Sequence, residues 1–126
     1  MKKAAICDDA AQTHPNTVIR YHSRSKDLSA DVREILFFES DKNYYIAHMK
    51  TGKTFRKRGT ISSLERDLAP LGFFRTHAAY LVNLNYADRS GKSRNLTLGD
   101  KYVPIAQKRF SRFLKAYTKI KSPDER

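Results

Sequence analysis

The sequence has little of what enzyme chemistry is usually built from. Its 126 residues include one cysteine (Cys7), no tryptophan, five glycines and only thirteen acidic residues. A lone cysteine excludes both a disulfide framework and a multi-cysteine zinc site. No glycine-rich loop of the kind that cradles phosphate is present. The four histidines, His14, His22, His48 and His77, form neither an H-E-x-x-H nor an H-x-x-x-H pair. The only adjacent acid pairs are Asp8-Asp9 and Asp124-Glu125, near the two termini, so no spacing suggests the convergent carboxylates of a metal-dependent nuclease. No apolar run approaches the roughly 18 residues of a membrane span, and Met1–Lys3 is not followed by a signal-type apolar stretch. These absences predict a non-enzymatic cytoplasmic protein with no cofactor, no metal, no small-molecule substrate and no place in a membrane.

What the chain does have is positive charge. Lys plus Arg number 25, giving a formal net charge of +12. With 40% hydrophobic residues and seven each of Phe and Tyr, disorder is disfavoured, and the length suits one domain with one modest core. A domain so charged repels itself without a polyanionic partner. The charge is also clustered. Lys50, Lys53, Arg56, Lys57 and Arg58 lie within nine residues with no acid among them, and seven more basic residues lie from Lys101 to Lys121, again with no acid. Each cluster can be a solvated face, yet the total favours nucleic acid. Charge alone does not separate DNA from RNA, or specific from general binding.

Hydrophobic periodicity predicts mostly β structure. Thr17–Tyr21 alternates; Val32–Glu39 carries the block Ile35-Leu-Phe-Phe38; Tyr44–Met49 and Lys53–Lys57 read as a hairpin across Lys50-Thr51-Gly52-Lys53. Ser62 followed by Glu65 has capping-box spacing, and Ile61, Leu64 and Leu68 share a helical face that Pro70 and Gly72 end. Strands resume at Tyr80–Leu84, Asn95–Leu98 and Lys101–Ile105. Phe110, Phe113, Leu114, Tyr117 and Ile120 then recur at helical spacing, predicting a basic amphipathic helix over Gln107–Lys119. Phe37, Phe38, Phe73, Phe74, Phe110 and Phe113 sit inside apolar blocks and read as core. There is no RNP-like K/R-G-F/Y pattern, so the sequence leans from base-stacking modules towards duplex readout by loop side chains.

The ordered series Ile35-Leu-Phe-Phe-Glu-Ser40, Ser62-x-Leu64-Glu65, Phe73-Phe-Arg-Thr-His77, Tyr80-Leu-Val-Asn83 and Val103-Pro-Ile-Ala106 resembles the LytTR DNA-binding domain over about residues 16–119. Arg75-x-His77 with Tyr80-x-Val82-Asn83 is the strongest part. The resemblance implies elongated antiparallel β-sheets with one short internal helix, here followed by a C-terminal helix. It further implies a bacterial transcription regulator, often the output domain of a two-component response regulator. Such a domain reads successive major grooves of double-stranded DNA with loop residues, as a homodimer on repeated sites.

Three loops carry the contacts that the resemblance implies. The first, after Glu39-Ser40, offers Lys42, Asn43 and Tyr44. The second, at Arg75–Ala78, offers Arg75 and His77. The third, after Pro104-Ile105, offers Gln107, Lys108 and Arg109. These residue types suit the task, because Asn and Gln pair with adenine in the major groove while Arg and Lys read guanine or hold phosphate. Other roles are open to the same residues: Asn43 can serve its turn, His77 can bond between strands, and Gln107 can simply begin the last helix. Lys108 and Arg109 suit phosphate better than base. The chain departs from the family pattern at Ala78, Ala79 and Ala106, where the family has polar residues. Those losses bear on target specificity more than on fold. Met1–Asp9 resembles the first strand and acidic pair of a receiver domain. The expected organisation is an extension over 1–15, a DNA-binding domain over 16–120 and a tail over 121–126. The alternatives are a general nucleic-acid or RNA-binding module, a metal-dependent nuclease, and a basic amphipathic helix lying on an anionic membrane.

Overall fold

The computed structural model describes residues 18–89 and 94–121. The receiver-like Met1–Asp9 segment and the 122–126 part of the expected tail lie outside them. Ten strands and two helices follow in chain order: β1 (Val18–Ser23), β2 (Lys26–Asp31), β3 (Ile35–Asp41), β4 (Tyr44–Met49), β5 (Thr54–Arg58), α1 (Ile61–Leu68), β6 (Phe73–His77), β7 (Tyr80–Asn83), β8 (Asp88–Arg89), β9 (Asn95–Leu98), β10 (Lys101–Pro104) and α2 (Phe110–Lys121). All strand pairs are antiparallel. The central sheet has five strands in the order β5-β4-β3-β7-β6; β1 and β2 form a separate hairpin, and β8, β9 and β10 a small third sheet. Mostly antiparallel β structure with a short internal and a C-terminal helix is what the sequence pattern predicts.

The central sheet is covered on both faces, and adjacent phenylalanines show how. Side chains alternate along a strand, so Phe38 and Phe37 enter different cores. Phe38 packs with Tyr45, Phe73, Phe55 and Leu81 against Ile61, Leu64 and Leu68 of α1. Phe37 packs with its neighbour Val82 of β7, with Leu96, Leu98 and Val103 of the small sheet and with Phe113 of α2. Each such large apolar side chain, fully buried, contributes about 1.5–3 kcal/mol. Tyr45 is 4% exposed, and burial pushes its hydroxyl up to about 12.

Several boundaries differ from the sequence expectation. The α1 cap is Thr60, whose Oγ1 accepts from the Ser63 N–H at 3.1 Å, so Ser62 is already in the helix. The Val32–Glu39 strand begins only at Ile35. Asp31 accepts from the Arg33 N–H at 2.9 Å and turns Val32–Glu34 into a 3-10 helix; hydrogen bonding to the Arg33 side chain holds the Asp31 carboxyl below the usual carboxylate range. Gln107–Arg109 is likewise a 3-10 turn, with α2 starting at Phe110. β2, too polar to announce itself, pairs along its whole length with β1. Gly72 ends the Ala69–Leu71 turn in the left-handed conformation, φ +95°, where a glycine is the least costly residue. Among the described residues, no helix is long and apolar enough to cross a membrane.

Candidate nucleic-acid interface

The antiparallel order of the central sheet puts the β3–β4 turn, the β6–β7 turn and the end of β5 at one end. Backbone hydrogen bonds lock these pieces together. The Ser40 N–H donates to the Ala79 carbonyl at 2.9 Å, tying the first loop to the second. The Ala106 N–H donates to the Thr76 carbonyl at 2.7 Å, bringing in the third. The Gly59 N–H donates to the Asn43 carbonyl at 3.0 Å, adding the turn after β5. The three segments singled out in the sequence therefore form one edge, although in the chain they are spread from Lys42 to Arg109.

The first loop is a two-residue turn, since Asp41 pairs directly with Tyr44. Lys42 takes a positive φ of +60°, a conformation costing a side-chain-bearing residue roughly 1–2 kcal/mol. Both Lys42 and Asn43 are exposed. Arg56 braces the turn from β5: its Nε donates to Asp41 Oδ2 at 2.8 Å, and its guanidinium lies 3.9 Å from the Tyr44 ring centroid. Tyr44 is thus half-buried under an arginine rather than bare for stacking. Nearby, Glu39 is paired with His48 at 2.5 Å. The Asp41 carboxylate beside this turn is matched by the Arg56 guanidinium, which reduces its repulsion of an approaching polyanion.

The second loop is held by Arg75. One terminal nitrogen donates to Ser62 Oγ at 2.8 Å and reaches Glu65 at 3.4 Å, while the other donates to the Ala78 carbonyl at 2.7 Å. Its side chain is only 17% exposed. Arg75 therefore points into the protein and grips the loop it belongs to. His77 is half-buried, and its Nδ1 accepts from the Ala79 N–H at 3.1 Å. In the neutral ring that bond assigns the remaining proton to Nε2, which has no partner among the described residues.

In the third loop Gln107 and Lys108 are exposed, Arg109 is half-buried, and the Arg109 N–H closes the turn on the Ala106 carbonyl at 2.9 Å. Arg56 as the brace, and Arg58 and Arg94 as neighbours of the edge, are additions from the structure; in the sequence Arg56 and Arg58 are simply members of the basic run from Lys50 to Arg58. The available signal was the spacing of Arg56 and Arg58, which puts both on one face of a strand. Arg94 could not have been found this way. It adjoins the edge through the bond from the Ile105 N–H to its carbonyl at 2.7 Å.

Comparison with known proteins agrees with this architecture. Residues 25–118 match the profile of the family described as LytTr DNA-binding domain. No curated protein matches the chain. Four chains of known structure match. One of these is the LytTr DNA-binding domain of a protein assigned as a methyl-accepting/DNA response regulator from Bacillus cereus. It has a TM-score of 0.69 at 17% identity, covering 80% of this chain and 96% of that one. At that identity the likeness is one of fold, whereas the profile match spans well over half the sequence. The chain belongs to the LytTR family of DNA-binding domains.

Proposed function

We propose that this domain binds duplex DNA sequence-specifically, as paired protomers on repeated sites, and so regulates transcription in the bacterial cytoplasm. The observation that carries the reading is the convergence of the three loops on one braced edge of a +12 domain. Adjacent strands lie about 4.8 Å apart, so the first two turns are centred about 10 Å from each other. That separation suits a major groove about 12 Å wide.

Within this edge the roles divide by what each side chain has left to offer. Asn43 and Gln107 present amides that match the paired donor and acceptor of adenine. His77 offers its Nε2–H to a guanine acceptor in the groove. Ala78 meets a thymine methyl without any polar demand. Lys42, Lys108 and Arg109 hold phosphates on either side. Tyr44 and Arg75 act on the DNA indirectly: Tyr44 supports Arg56, and Arg75 fixes the carbonyl side of the second loop so that His77 is correctly aimed.

The test is selection of random duplexes over several rounds, followed by titration at two salt concentrations against unrelated duplex and single-stranded competitors. The expected result is convergence on a repeated motif retained at physiological salt. Affinity that follows charge alone, with a steep salt slope and no motif, would leave a general nucleic-acid binder in its place.

A further inference from the structure

We propose that the groove between the β1–β2 hairpin and the edge strand β5 holds the phosphate backbone of the same duplex, beside the bases that the loops reach. This rests on the duplex-binding reading above and extends it to a fourth contact element. The groove is a cavity of about 600 Å³ whose lining includes Arg20, His22, Leu28, Tyr44, Arg56 and Arg58. It exists because the hairpin docks on β5 without joining its ladder. Tyr21 stacks on Phe55 with centroids 4.0 Å apart, and Lys57 Nζ donates across the gap to the Arg20 carbonyl at 2.5 Å.

Its chemistry selects a polyanion. The acid among its lining residues is Asp27, which is already bonded to His22 at 2.9 Å. Arg20 and Arg58 are exposed and make no ion pair among the described residues. Charged side chains along an edge strand discourage a further strand from adding there, which disfavours an extended peptide as occupant. The same arginines suit phosphate oxygens, which they bind through their planar fork of donors. The groove is also continuous with the loop edge. Arg58 lies directly opposite Tyr44 in the sheet register, and the Gly59 N–H bonds the Asn43 carbonyl. A backbone strand leaving Asn43 passes Arg58 and then Arg20.

The experiment is a salt titration of DNA binding by the whole chain carrying R20Q and R58Q together. Loss of two phosphate contacts lowers the salt slope by about 1.8 and weakens binding roughly tenfold at physiological salt. The loss should be equal for selected and random duplexes, with hydroxyl-radical protection vanishing on one flank. R20K with R58K should keep the slope, and an unchanged unfolding curve separates the effect from misfolding. An unchanged slope in the glutamine variant overturns the proposal. So does an unchanged slope accompanied by lost binding to poly-glutamate, which would mark an acidic protein surface instead. Failure of the wild-type chain to select any motif would count against the sequence-specific reading, while the slope difference on random duplex would still decide the groove.

Discussion

The two ends of the central sheet use the same residue type to opposite effect. At one end Asn83 is 2% exposed, and both polar atoms of its amide are bonded: Nδ2 donates to the Ile35 carbonyl at 3.0 Å, and Oδ1 accepts from both the N–H and the side chain of Asn85 at 3.0 Å. Nearby, the Tyr86 hydroxyl donates to the Arg33 carbonyl at 2.9 Å, and the Leu84 N–H donates to the Gly72 carbonyl at 2.9 Å. At the other end Asn43 is exposed in a turn whose first residue is strained, and His77 keeps one ring nitrogen unpartnered among the described residues. One end satisfies its polar groups internally and stabilises the fold. The other braces its backbone with Arg56 and Arg75 and leaves side-chain donors available for something outside.

That contrast can be tested from either end. The largest effect is expected from Asn83→Ala, which strands the Ile35 carbonyl and the Asn85 N–H. Denaturant unfolding should show a loss of about 3 kcal/mol, while the affinity of the folded fraction for DNA stays unchanged. His77→Ala should do the reverse, leaving the unfolding midpoint nearly in place and costing about 1–3 kcal/mol of discrimination at one base pair. If H77A unfolds the protein and N83A abolishes DNA binding, the division between the ends is wrong.

Smaller changes sharpen the same comparison. Lys42→Gly relieves the positive φ and should raise stability by about 1 kcal/mol, yet weaken DNA binding by removing a cation. A variant that is both more stable and weaker in binding is the signature of strain kept for function. The effect smallest at neutral pH concerns Tyr45, buried in the core beneath α1. Its folded value is raised from 10 to about 12, so its contribution is complete below about pH 10 and is lost as pH rises from 10 towards 12. Tyr45→Phe should remove that part of the alkaline loss in a pH series of thermal unfolding, with no change at pH 7 in DNA affinity.

Much of this was legible in the sequence, and what was missed has identifiable causes. The alternation of Tyr44–Met49 lets strand and buried face be read directly. The apolar block Ile35–Phe38 shows a strand but not its faces, because a register shift between Ile35 and Phe37 puts Ile35 and Phe38 in the same core. The ordered motifs from Ile35 to Ala106 located the three loops. β2 escaped because Lys26-Asp27-Leu28-Ser29 has no apolar period and is exposed along most of its length. The direction of Arg75 escaped because its partners Ser62 and Glu65 are brought to it only by α1 packing against β6. Arg56 escaped for the same reason: Asp41 lies 15 residues away and meets it only across two strand pairings. Local pattern reveals elements; which side chains a folded edge leaves free depends on long-range pairing.

The most direct measurement compares wild type with H77A on a selected duplex and on every single-base-pair variant of it. H77A should lose discrimination at one position and keep it elsewhere, with an unchanged salt slope. A uniform loss at all positions, or no loss at any, would contradict the claim that this braced edge reads bases.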